Sequence, residues 1–83
     1  MKVLYFAWLR NKIGASSEEV SAPEDVQTVQ QLIDWLKERG EGYADAFNDP
    51  SVIRAAVNQE HVGFDHPIKT GDEVAFFPPV TGG

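Results

Sequence analysis

The chain closes on Phe77-Pro78-Pro79-Val80-Thr81-Gly82-Gly83, and here its residue types could do chemistry. Gly82 and Gly83 carry no side chains, so their backbone can enter a narrow slot. Pro78 and Pro79 stiffen the approach and remove two backbone donors. Nothing after Phe77 is built to pack a core. The segment reads as a probe that carries the Gly83 carboxylate into another protein's active site, with Gly82 giving access. A carboxylate is inert to nucleophiles because its leaving group is poor. A partner could convert it to the mixed anhydride with AMP, and a sulfur nucleophile could then displace AMP to leave a thiocarboxylate. In such chemistry the chain supplies the reacting atom and a docking surface. Its partners supply positioning and electrostatics.

The other candidates are weaker. His61 and His66 are the two imidazoles, and the chain has no cysteine. Two histidines without thiolates or a ligand-spaced carboxylate cluster make a poor metal set. His66, between Asp65 and Pro67, reads as a turn residue, and His61 as a residue near the edge of a surface patch. The pairs Glu18-Glu19, Glu24-Asp25 and Asp72-Glu73 read as solvated charges near turns. No glycine loop of the phosphate-cradling kind is present. Seven Lys and Arg stand against thirteen Asp and Glu, a formal charge of −6. That balance repels nucleic-acid backbones and steers a basic protein partner toward the chain. No apolar run approaches the roughly 20 residues of a membrane span. The first nine residues are rich in β-formers and lack a small-residue cleavage site, so they read as a strand, not a signal peptide. The lack of cysteine suits a reducing compartment, and the expected location is the cytoplasm.

The elements that must hold the probe come next. Residues 2–9 read as a first strand, 10–16 as a polar loop and 17–22 as a short second strand paired with the first. Residues 23–25 form a turn. Residues 28–39 are the best-defined helix. Thr28 and Gln31 fit a capping box, and Val29, Leu32, Ile33 and Leu36 make one buried stripe. Lys37 and Arg39 suit the negative end of the helix dipole, Gly40 is a left-handed stop, and Trp35 lies at the edge of the stripe. Residues 42–49 hold a short helical turn with Tyr43, Ala46 and Phe47 inward, broken by Asp49-Pro50. Strands follow at 52–58, briefly at 61–64, and at 73–77, with turns at 65–67 and 70–72. Strands around one main helix predict an α+β domain, a mixed four- to five-stranded sheet with the helix on one face. The tail is expected to be mobile in the free protein, as termini usually are.

Strand side chains alternate between faces, and one helix covers only one of them. Val74 and Phe76 belong to the covered set. Glu73, Ala75 and Phe77 belong to the open one. Ile53, Ala55 and Val57 oppose Arg54, Ala56 and Asn58, with Arg54 marking the open side. In the first strand Val3, Tyr5 and Ala7 oppose Lys2, Leu4, Phe6 and Trp8. If Lys2 marks the open face, Phe6 and Trp8 join Ala75 and Phe77 in an apolar patch. Such a patch on a small acidic chain marks a protein contact; the alternatives are a loop folded over these aromatics or a reversed parity of the strand.

Over its whole length the chain resembles the small, sulfur-carrying subunit of molybdopterin synthase, a ubiquitin-like β-grasp family. The resemblance rests on Lys2-Val3-Leu4-Tyr5-Phe6-Ala7, Ala55-Ala56-Val57-Asn58-Gln59, Phe64-Asp65-His66-Pro67 and above all the stretch from Gly71 to Gly83. It implies a β-grasp domain over residues 1–77 and a carrier tail over 78–83. It implies that an ATP-using, ubiquitin-activating-like adenylyltransferase activates Gly83, and that a sulfur donor acts through that partner. The chain itself would bind no cofactor, and the catalytic residues would lie on the large synthase subunit. The tail would enter that subunit and give sulfur to cyclic pyranopterin monophosphate, two charged carriers being consumed per dithiolene. The assembly implied is a heterotetramer around a dimer of large subunits. The docking positions fall on Phe6, Phe77 and His61, continued by Pro78, Pro79, Val80 and Thr81. An aliphatic residue is the family expectation where His61 stands. A carrier for thiazole synthesis, a ubiquitin-like modifier, and a plain interaction domain with an incidental tail stay open as alternatives.

Overall fold

Alternation over residues 2–5 and 73–77 sets up two central strands that lie side by side in the computed structural model, which describes residues 1–79. In chain order the elements are β1 (Lys2–Tyr5), α1 (Trp8–Ile13), β2 (Ser17–Glu19), α2 (Val29–Lys37), α3 (Glu41–Ala46), β3 (Arg54–Val57), β4 (Glu60–Val62) and β5 (Glu73–Phe77). A 3-10 turn, Pro50–Val52, precedes β3. The five-stranded sheet has the order β2-β1-β5-β3-β4. Only β1 and β5 run parallel; the other neighbours are antiparallel. The expected α+β sheet with one principal helix is therefore present; the short helical turn expected at 42–49 is α3, and one further short helix, α1, is added.

The covered face holds the core. Val3, Tyr5, Ala55, Val57, Val74 and Phe76 meet Val29, Leu32, Ile33 and Leu36 of α2, all buried. The ring of Phe47 packs edge-on against Phe76 with centroids 5.0 Å apart. At the start of α2 the Thr28 hydroxyl accepts the Gln31 N–H at 3.2 Å. The Gln31 side chain reaches back, but to the Gln27 N–H at 2.8 Å rather than to Thr28. This is the expected box displaced by one residue.

Two expectations fail locally. The first strand does not run to residue 9. Ala7 has φ 56° and ψ −133°, which turns the chain out of the sheet, and Trp8 opens α1. Residues 10–16 are thus half helix, not a loop. Leu9 and Ile13, one turn apart, face inward, and Gly14 at φ 88° ends the helix with its N–H on the Arg10 carbonyl at 2.8 Å. A short apolar run cannot be told from a strand by periodicity alone. Trp8 consequently leaves the open face and packs, half-buried, against the core. Gly40 is not a left-handed stop either: α2 ends at Lys37 with Glu38 as its C-cap, and Gly40 is the N-cap of α3. The glycine that packing demands is Gly42, where a Cβ would stand 2.6 Å from the Lys12 carbonyl of α1.

Asp72 and Glu18 depart from the expectation of solvated charges. Asn58 and Gln59 have φ 51° and 71° and turn β3 into β4, with Val57 opposite Glu60. A two-residue hairpin with both central φ positive has the twist that flanking strands require. Asn58 then ties this turn to β5, accepting from the Glu73 N–H at 3.0 Å and donating to buried Asp72 at 3.1 Å. Asp72 also accepts the Lys69 N–H at 2.9 Å. Burial pushes its carboxyl up, but these two donors and the charges of Lys69 and His66 outweigh that and hold it below the usual range.

A carboxyl lowered on folding adds stability above its unfolded pKa and loses it as pH falls through the folded value. The stability gap between wild type and Asp72→Asn should therefore be widest above about pH 4 and shrink below it. Urea midpoints from pH 6 down to about pH 2 measure it; a gap that stays constant refutes the linkage.

Candidate functional site

Register makes the open face from the residues upward. Residues directly opposite one another across a ladder share a face. Glu19, Lys2 and Glu73 form a charged row at one end. Leu4, Ala75, Ala56 and His61 form a middle row of small or apolar groups. Phe77 and Arg54 are opposite one another in the row beyond. Phe6 extends that row, its N–H on the Phe76 carbonyl at 3.1 Å. The polarity of the face therefore changes along the strands, charged where β5 begins and aromatic where β5 ends.

Phe6 is 49% exposed, although its neighbour Tyr5 is 1% exposed. That contrast places Phe6 on the outer surface and Tyr5 in the core, as the alternation predicts. The Phe77 ring lies beside that of His61, with centroids 5.1 Å apart and a tilt of 48°. His61 is exposed and opposite Ala56, so it edges the aromatic row. His66 lies in the loop before Pro67, its N–H on the Gly63 carbonyl at 3.2 Å. Pro78 and Pro79 follow Phe77 directly and are half-buried. Val80, Thr81, Gly82 and Gly83 lie outside the described residues. Sequence reasoning used Arg54 only as a marker of the open side. Its position beside Phe77 comes from strand order and register, which alternation does not supply.

The covered side carries a polar cluster that periodicity does not reveal. Glu18 accepts the Tyr5 hydroxyl at 2.7 Å and the Tyr43 hydroxyl at 2.8 Å. Arg39 completes it, 3.4 Å from Glu18 and over the rings of Trp35 and Tyr43 at 5.3 and 5.2 Å. Burial first, and then donation to Glu18, raise the Tyr5 phenol far above its ordinary range, and the same causes raise Tyr43. Both phenols stay neutral donors, so the cluster binds β1 and β2 to the α2–α3 junction. It leaves the open face untouched.

The geometry is that of a flat docking surface rather than a cleft. Two surface clefts, one between Met1, Val20, Pro23 and Ile68 and one between Pro23, Val26 and Trp35, do not include Phe6, Phe77 or His61. No helix among the described residues is long and apolar enough to cross a membrane.

A mixed sheet grasping one main helix, with an open aromatic face and a central strand leading to the tail, places the protein among the ubiquitin-like β-grasp carriers. The chain belongs to the ThiS family, whose model matches residues 3–83. It is 48% identical over 83 residues to the molybdopterin synthase sulfur carrier subunit of Escherichia coli K12, covering all of this chain and 99% of that one. Among solved structures it is similar to small archaeal modifier protein 1 of Haloferax volcanii, with a TM-score of 0.77, 27% identity and 95% of each chain covered. It is also similar to a chain of the complex between subunits 1 and 2 of molybdopterin-converting factor from Helicobacter pylori. That match has a TM-score of 0.64 and 25% identity, and covers 99% of this chain and 96% of the other.

Proposed function

We propose that this chain is the sulfur carrier of a molybdopterin synthase and acts docked on the large subunit of that enzyme. The observation that carries the reading is the end-to-end identity of 48% with the Escherichia coli carrier. The open face supplies its physical counterpart, because Phe6 and Phe77 lie together at the end of β5 from which the chain proceeds to Gly83. In this reading residues 1–77 are the docking domain and 78–83 the carrier tail. An adenylyltransferase spends ATP to join AMP to the Gly83 carboxylate, releasing pyrophosphate. A sulfur donor acting through that enzyme displaces AMP and leaves the thiocarboxylate.

Phe6, Phe77 and His61 then seat the domain on the large subunit. Pro78, Pro79, Val80 and Thr81 aim the tail, and Gly82 passes the narrow entrance. The sulfur goes to cyclic pyranopterin monophosphate, and the catalytic residues are the large subunit's. The chain binds no cofactor of its own and works in the cytoplasm. Intact mass spectrometry of the carrier from its own host tests the proposal. The expected charged form is heavier by about 16 Da, one carboxylate oxygen replaced by sulfur on the terminal group. A carrier that is never heavier, even when the synthase is blocked, overturns it.

A further inference from the structure

Arg54 is a cation in an awkward place for an apolar docking face. It stands directly opposite Phe77 in the β3–β5 ladder and on the same face as His61 and Ala56. Its guanidinium is already anchored: one nitrogen donates to the Ser51 carbonyl at 3.3 Å and to the Ile53 carbonyl at 3.0 Å. Among the described residues, Lys12 and Arg39 each have a carboxylate within 4.0 Å, and Arg54 has none. The acids of this face, Glu19 and Glu73, flank Lys2 in the row at its far end. Arg54 is thus a fixed, uncompensated positive charge on a chain whose formal charge is −6.

Any partner that covers Phe77 also takes water from Arg54. An unpaired guanidinium is costly to desolvate, so a stable complex needs an acceptor opposite it. Arginine's planar fork matches a carboxylate with two parallel hydrogen bonds. Anchoring by backbone carbonyls lowers the entropy of fixing that fork.

We propose that Arg54 is a specificity-determining residue, donating to a carboxylate that the large subunit presents beside the entrance for the tail. The inference rests on the docking reading above. It adds that the partner's surface, complementary to an acidic carrier at long range, carries a local acid where it meets the end of β5. Arg54 thereby sets register, since a carrier rotated on this face would bring Glu19 or Glu73 against that acid. Like charges placed together suppress a wrong pose.

Dissociation constants for the isolated large subunit test this, measured at low and high salt with wild type, Arg54→Leu, Arg54→Gln and Phe77→Ala. Arg54 is exposed, so neither of its replacements disturbs the core. Both should weaken binding about five- to tenfold at low salt, with the difference narrowing as salt is raised. If both bind as tightly as wild type or tighter while Phe77→Ala binds weakly, the carboxylate at Arg54 is overturned and the docking face stands. If Phe77→Ala also binds like wild type, the docking face itself falls.

Discussion

Deletion of Gly83 is expected to abolish sulfur transfer and to leave folding stability unchanged. The two halves of that result come from different parts of the chain. Stability resides in the contiguous core, whose last member among the described residues is Phe76. A glycine has no side chain to withdraw from that core. Transfer depends on one terminal group. Without Gly83 the chain ends on Gly82, and the reacting carboxylate is withdrawn by up to roughly 3.5 Å, the extended length of one residue. Reacting atoms must approach within about 3–3.5 Å, and a misplacement of about 1 Å already costs around a hundredfold. The check is twofold: urea unfolding of both forms, and product formation by the large subunit supplied with each carrier. Transfer by the truncated chain at the wild-type rate would remove the carrier reading. A large loss of stability would show that the tail packs on the domain.

The parts of this arrangement that were legible in the sequence are those set by local rules. The α2 stripe of Val29, Leu32, Ile33 and Leu36 is buried as its spacing requires. The alternation of β5 is observed residue by residue, with Val74 and Phe76 buried and Ala75 and Phe77 half-open. The open face could be anticipated because Lys2, Glu73 and Arg54 each mark the solvent side of a strand. What escaped is set by contacts distant in sequence. α1 is a helix because Leu9 is needed in the core and α3 packs against it through the close approach at Gly42. Pattern alone gave Trp8 and Leu9 to a strand and Ile13 to a loop. Glu18 looked like a surface acid because its partners, Tyr5, Arg39 and Tyr43, come from three other segments. The docking rows depend on the parallel pairing of β1 with β5, which brings Phe6 beside Phe77. No periodicity within either strand specifies that pairing.

That pairing gives two adjacent phenylalanines opposite duties, and exchanging each for alanine should separate them. Phe76 is fully buried at the centre of the sheet and packs edge-on against Phe47. Phe76→Ala removes a whole ring from a site between β1 and β3 and against Phe47, and is expected to cost about 3–5 kcal/mol. A small domain holds about 5–15 kcal/mol in total, so this variant should be close to unfolding at room temperature. Phe77 points the other way, half-exposed, with His61 as its aromatic neighbour. Phe77→Ala should therefore change stability by less than about 1 kcal/mol, near the range of surface substitutions. Its effect appears on docking, where loss of an aromatic anchor costs about 1 kcal/mol or more, at least a fivefold rise in Kd. Denaturation midpoints and titrations against the large subunit, made on the same preparations, read both effects. The face assignment predicts a crossed result: stability lost at residue 76 with little left to dock, and docking lost at residue 77 with the fold intact. Equal losses of stability would mean that both rings are core, and the docking surface would have to be sought on another face of the sheet.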